Sequence, residues 1–284
     1  MGYANIATTK LYAPPALIAA PLPLGNSRPR DPSATVEQEL ANGLPDVLAS
    51  HLHLCTIANM NMRTVAISIN KGGVGKTTVT KSLAVEAAGA GFNVVILDMD
   101  SQQNASDWGN RRKAVNRPLP LITRFCTEKD LESELQRAEK AGCDIVFIDT
   151  PPGRSSEAVA AVEFANVVLI PFENDQDSYT GVTKTALLAR RLGKQAYGIL
   201  NKAPPHSRSH EDTAREVLKV IELPMAPVAL HRYDAHRLAS PAGKVAGEFE
   251  PGSTPALQIE GLWDWLSALL QLRTGAIVHK KGTA

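Results

Sequence analysis

The sequence predicts an α/β fold, a mostly parallel twisted sheet with helices on both faces, carried by residues 62–284 of the 284-residue chain. Three observations predict it. Short apolar, β-branched runs alternate with stretches of helical periodicity. Several of those runs are apolar at nearly every position, the pattern of strands buried from both sides. A glycine-rich turn, Lys71-Gly-Gly-Val-Gly-Lys-Thr-Thr78, joins the first run to the first helical stretch.

Residues 64–69 (Thr-Val-Ala-Ile-Ser-Ile) read as the first strand, and residues 77–90, with small and apolar side chains at helical spacing, as the first helix. Residues 94–100 (Val-Val-Ile-Leu-Asp-Met-Asp) are a second strand ending in two carboxylates. A helix over 104–113, a strand over 118–123 and a charged surface helix over 128–141 follow. Residues 144–149 form another buried strand, ending in Asp149. Beyond it come a helix (155–164), a strand (166–171), a helix (176–192), a strand (196–201), a helix (209–221), a short strand (225–230) and a last helix over about 255–273. Right-handed crossovers between such units give a parallel sheet.

The glycine-rich turn has the parts of a phosphate-binding loop. Glycines let the backbone turn its N–H groups inward, a lysine meets terminal phosphates, and a hydroxyl serves a magnesium ion. Its place between a strand end and a helix N-terminus suits an anion. The common pattern G-x-x-x-x-G-K-[ST] asks for glycine at position 70, where this chain has Asn70. The pattern K-G-G-x-G-K-[ST] fits instead, with Lys71 as the extra lysine. In a parallel sheet the strand C-terminal ends line the ligand crevice, so Asp98, Asp100 and Asp149 should converge on the loop.

On these residues the chain resembles the ParA/MinD group of P-loop ATPases, most closely small ParA-type partition ATPases, over about residues 63–272. The resemblance implies the P-loop NTPase fold with ATP and Mg²⁺ as cofactors. It implies nucleotide contacts from Lys71, Gly72, Gly73, Val74, Gly75, Lys76, Thr77 and Thr78, and from Asn201 to the adenine. Lys76 would hold the β- and γ-phosphates and Thr78 the α-phosphate of the protomer's own nucleotide, while Lys71 would reach across a dimer to the partner's ATP. Thr77, Asp149 and Asp98 would serve the metal, and Asp100 would position the attacking water, so Lys71, Lys76 and Asp100 are the catalytic candidates. Relatives usually read Asp-Pro-Gln-Gly where this chain has Asp100-Ser101-Gln102-Gln103. Losing both the residue that fixes φ and the one that permits φ > 0 leaves that segment's conformation and hydrolysis rate open.

Composition limits the function classes. Net charge is only +1, so no global polyelectrolyte character points to nucleic acid. From residue 180 to 244, however, eleven Lys/Arg stand against five Asp/Glu. By resemblance, Arg191, Arg208, Arg232 and Arg237 would contact DNA without sequence preference, through phosphates and in a salt-sensitive way. Solvated helix faces also account for such charges. Three cysteines (Cys55, Cys126, Cys143) show no metal spacing, suit reduced thiols and count against an iron–sulfur relative. No run of eighteen apolar residues suggests a membrane span.

Residues 1–61 read either as a poorly ordered extension or as an over-called start with Met60 or Met62 as initiator; a DNA-reading arm is a third alternative. His51 and His53 read as surface residues. The last helix carries Leu262, Trp265, Leu266, Leu269 and Leu270 at the spacing of a core-packing face. The tail 275–282 is too short and too weakly apolar for a membrane anchor. The implied activity is slow, partner-stimulated ATP hydrolysis by a cytoplasmic, nucleoid-associated protein. It would dimerise on ATP, bind non-specific DNA, partition DNA or other cargo, and be released by a ParB-like adaptor. Rival readings are a MinD-like membrane-cycling regulator, a metabolic P-loop enzyme similar to dethiobiotin synthetase, and a non-hydrolysing ATP-gated scaffold.

Overall fold

Side-chain alternation along the strands sorts the residues into two apolar cores, one on each face of a single sheet. The computed structural model describes residues 62–115, 119–153, 155–205 and 207–272. In β1 (Arg63–Ile67), Val65 and Ile67 enter one core and Ala66 the other. The same alternation runs through β2 (Val94–Asp98), β4 (Ile145–Asp149) and β5 (Val167–Phe172). With β3 (Leu121–Phe125) and β6 (Gln195–Leu200), these make a six-stranded sheet in the order β3-β2-β4-β1-β5-β6, with every pair parallel. Period-2 side chains on a doubly covered sheet need apolar residues at both phases, hence the continuous apolar runs.

One face carries α1 (Lys76–Gly89), α2 (Asn104–Ala114) and the last helix α9 (Thr254–Leu269). The other carries α3 (Leu131–Lys140), α4 (Ser156–Phe164), α5 (Gln176–Arg191) and α6 (Arg208–Val220). Two short helices, α7 (Asp234–Ala239) and α8 (Ala246–Phe249), lie between α6 and α9 in sequence. The α9 residues Leu262 and Leu266 are fully buried, Trp263 meets Phe92 edge-on at 5.8 Å between centroids, and Trp265 meets Tyr197 at 5.1 Å. That face is part of the core, as its spacing implies. Cys126 and Cys143 are buried free thiols, and burial pushes them up to about 12 and about 11.

Several boundaries move. The first two strands end at Ile67 and Asp98, freeing the residues beyond for loops. The helix expected over 128–141 begins as a 3-10 turn, Glu128–Asp130, in which Thr127 and Asp130 cap one another, and becomes α-helical only at Leu131. The strand expected over 225–230 is replaced by two isolated bridges, Gly198 to Met225 and Ala203 to His231. Pro224 and Pro227 bracket the first bridge and have no N–H to give a ladder. The helices α7 and α8 are not anticipated from sequence. The expectations for residues 1–61, including His51, His53 and Cys55, and for the tail 275–282 fall outside the described residues. Among the described residues, no helix is long and apolar enough to cross a membrane.

Replacing Leu262 with Ala should destabilise the protein by about 2–5 kcal/mol, the usual cost of emptying a fully buried leucine site. Urea denaturation checks this; a change below about 1 kcal/mol would mean that α9 is not a core helix.

Candidate functional site: a phosphate loop and two buried strand-end carboxylates

The β1–β4 register places Ile67 opposite Asp149, so the loop leaving β1 starts beside that carboxylate. The loop turns on Gly73 (φ 76°) and Gly75 (φ 92°), left-handed conformations that favour glycine. At Gly75 a side chain would also collide with Asn201 Nδ2. Three side chains take hold of loop carbonyls. Asn201 Nδ2 donates to Val74 O at 2.7 Å, Lys76 Nζ donates to Lys71 O at 3.1 Å, and Lys202 Nζ donates to Gly73 O. Lys202 also pairs with Glu173 at 2.9 Å. Lys76 is buried, which lowers its pKa, while Asp149 and Asp100 act in the opposite direction.

Lys71 points elsewhere. Its ammonium donates to both oxygens of Asp175, at 2.7 and 2.8 Å, and to Ser178 Oγ at 3.1 Å. Asp175 is the N-cap of α5 and also accepts from the Ser178 amide at 2.9 Å. The little burial it has raises its pKa, but the hydrogen bonds from Lys71 and Ser178 outweigh this and hold it below the usual carboxylate range.

Asp98 and Asp149 are register partners on neighbouring strands, and both are fully buried. Asp98 accepts from the Asp100 amide at 3.2 Å and the Ser106 amide at 2.8 Å, so its two oxygens tie the β2 end to the start of α2. Burial raises its pKa and these amides pull it back. Asp149 Oδ1 accepts from Thr80 Oγ1 at 3.3 Å, while its buried Oδ2 has no hydrogen-bond partner. Burial pushes Asp149 up to about 7; the nearby Thr77 hydroxyl opposes this, Asp98 adds to it, and Lys76 and Thr80 oppose it. An orphaned, buried carboxylate oxygen beside a threonine hydroxyl suits a divalent cation or a water held by one. Thr77 and Asp149 are therefore the residues that fit Mg²⁺, which supplies charge neutralisation at the phosphates when bound.

Asp100 is half-buried, and its carboxylate accepts from the Gln102 amide at 2.9 Å. Its carbonyl accepts from the Gln103 amide at 2.8 Å. Gln103 has φ 51°, so the left-handed turn that a glycine would allow persists here with a side chain in place.

A cavity of about 520 Å³ opens beside the loop, lined by Gly75, Thr78, Lys81, Asn201, Arg232 and Arg237 among others. Of the four arginines singled out for DNA, Arg232 and Arg237 thus share the loop's cavity. Arg191 lines a different one with Lys184, between α4 and α5, and Arg208 opens α6. Sequence reasoning missed Lys202, Thr80, Asp175 and Ser178. Only Asp175 had a local signal, as a helix-cap residue three before Ser178.

A family model described as an AAA domain matches residues 62–119. The carboxysome distribution maintenance protein A of Gloeobacter kilaueensis is 31% identical over 183 residues, covering 64% of this chain and 82% of that protein. This chain belongs to the ParA/MinD family of P-loop ATPases. The ParA protein of Rhizobium radiobacter is 26% identical over 216 residues, covering 70% of this chain and 96% of its own. Among solved structures, the septum site-determining protein MinD of Pyrococcus horikoshii, complexed with Mg-ADP, superposes with a TM-score of 0.60 at 18% identity, covering 73% of this chain and 97% of that one. As a ParA/MinD-type protein of the partition and positioning kind, the chain is an ATPase.

Asp149 yields a pH prediction for the ParA/MinD fold without nucleotide or metal. A carboxyl whose folded pKa is raised to about 7 keeps its proton in the folded state after the unfolded chain has lost it. Stability therefore falls as pH rises from the ordinary carboxylate range to about 7. Glu86, also pushed up to about 7 by burial and then by Glu260, Glu248 and Asp264, adds a slope of the same sign. Asp149→Asn should remove only the Asp149 share. Denaturation in EDTA should show the variant gaining on the wild type from pH 5 to pH 8, and a constant gap would contradict the raised pKa.

Proposed function

We propose that the protein is an ATP-driven positioning switch that uses DNA as its track. Two copies close face to face on ATP, the closed dimer holds DNA without sequence preference, and an adaptor on the cargo stimulates hydrolysis and releases it. The observation that carries this reading is the placement of Lys71. Lys76 serves its own loop, whereas the Lys71 ammonium rests on Asp175 and Ser178 at the start of α5. A lysine stationed beside the loop, rather than folded into it, suits a role toward a second protomer's phosphates. The relatives support cargo positioning as the wider class: one maintains carboxysome distribution and another is named ParA.

In this reading Asp149 and Thr77 hold the metal, Asp100 orients the attacking water, and Asp98 fixes the Asp100 segment against α2. Arg191 and Arg208 are the proposed DNA contacts. Arg232 and Arg237 lie where they would meet nucleotide as readily as DNA.

DNA retention measured with ATP, ADP and no nucleotide across a salt series tests the proposal. Wild type should retain DNA only with ATP, less as salt rises, and Lys76→Ala should not retain it. Retention that ignores the nucleotide, or ATP-dependent binding to anionic liposomes without DNA retention, would overturn the DNA track. Lys71→Ala should bind ADP like wild type yet fail to dimerise on ATP and show no stimulated turnover. Wild-type dimerisation and stimulation in that variant would remove the bridging role.

A further inference from the structure

Lys81 stands one turn beyond Thr78 on α1, so the two side chains share a helix face, and both line the cavity beside the phosphate loop. Lys81 is 8% exposed. Its ammonium donates to Ser240 Oγ at 3.1 Å and lies 5.7 Å from the centroid of the Trp108 ring. Neither neighbour is an anion. Among the described residues, no carboxylate comes within ion-pair distance of this ammonium. Asp149 and Asp98 attract it from farther off and Arg111 repels it. The second cation near the same ring is different: Arg112, 5.4 Å from the Trp108 centroid, is held by both oxygens of Glu248 at 2.7 and 2.8 Å.

A buried ammonium without a counter-charge is costly, and burial pushes Lys81 down to about 8. The cost is offset if an anion enters the cavity that the side chain lines. Phosphates are the anions a phosphate loop receives, and of the loop's two threonines it is Thr78 that lines the cavity together with Lys81. We propose that Lys81 is a nucleotide-binding residue that meets the α-phosphate, adding a charge that the K-G-G-x-G-K-[ST] pattern does not contain. The assignment rests on the reading of residues 71–78 as a nucleotide site. The Trp108 face and Ser240 fix the ammonium in place, and the ligand supplies the opposite charge.

Lys81→Met keeps an unbranched stem against Trp108 and removes the charge. Lys81→Gln removes the charge but can still hydrogen-bond Ser240. Calorimetric titration with ADP, ATP and GDP should show both variants losing about tenfold in ADP and ATP affinity, about 1.4 kcal/mol, by the same factor for each. The ratio of ADP to GDP affinity should stay at the wild-type value, because a contact to the α-phosphate does not read the base. The nucleotide-free melting temperature should hold or rise, since an unpaired buried charge is gone. ADP binding within twofold of wild type in Lys81→Met, full affinity in Lys81→Gln, or loss for ATP alone would each overturn the assignment. Failure of the wild type to bind either nucleotide would instead overturn the nucleotide reading of the loop, and this assignment with it.

Discussion

The site depends on how two buried carboxylates, side by side, are accommodated. Asp98 and Asp149 are register partners at the ends of adjacent parallel strands, with no exposed surface on either. Two ionised carboxylates at such positions repel each other and lose hydration together. The fold resolves this by treating them differently. Asp98 gives both oxygens to backbone amides of the segment leaving β2, which supports its charge. Asp149 receives less help, keeps one oxygen without a partner and is raised to about 7. One carboxylate becomes a structural clamp and the other stays available to a cation. Strand register decides which is which, because it also places the end of β1, and hence the loop, beside Asp149.

The loop's shape follows from a second arrangement of polar groups. The carbonyls of Lys71, Gly73 and Val74 accept from Lys76, Lys202 and Asn201. In a planar trans peptide the N–H of the next residue points opposite to the carbonyl. Fixing the carbonyls of Gly73 and Val74 therefore turns the amides of Val74 and Gly75 away from Lys202 and Asn201. The glycines make that path sterically possible, and the side chains outside the loop select it. Two of these side chains, Asn201 and Lys202, sit at the end of β6. The far side of the sheet thus helps to shape a loop that begins at β1.

Much of this was legible in the sequence because it is local. Strand–helix alternation and the K-G-G-x-G-K-[ST] spacing need only neighbouring residues, and both read correctly. What could not be read depends on distance or brevity. Asp175 lies 104 residues from Lys71 in the chain, and Lys202 lies 129 from Gly73. Pairings at that range leave no periodic trace. The six residues of α7 and the four of α8 span too few turns for a helical pattern to show. The bridge segment around Met225 has strand-like composition, but Pro224 and Pro227 remove the donors that a ladder requires. The charge excess after residue 180 was visible only as a sum: of the four arginines singled out, Arg232 and Arg237 line one cavity, Arg191 lines another and Arg208 opens α6.

The segment after Asp100 shows how a departure in residue type can leave a conformation standing. The resemblance leads one to expect proline and glycine there; this chain places Ser101 and Gln103. A residue other than glycine held at φ 51° costs about 1–2 kcal/mol. Asp100 offsets that cost by accepting from the Gln102 amide with its carboxylate and from the Gln103 amide with its carbonyl. Beyond Gln103, α2 is anchored in turn. Trp108 Nε1 donates to Lys244 O at 3.1 Å, Arg112 is paired with Glu248, and Gly243 (φ 63°) lies so close to the Arg112 backbone that a side chain there would collide. The turn is thus set from both ends, by Asp100 before it and by the docked helix after it, and the residue at position 103 has to conform. Because Asp100 is both the support of this turn and the candidate water-positioning group, drawing its carboxylate away from the Gln102 amide removes part of what holds the turn. Any movement of that carboxylate is therefore coupled to the backbone at Gln103 and, through α2, to the Gly243–Glu248 segment packed against it.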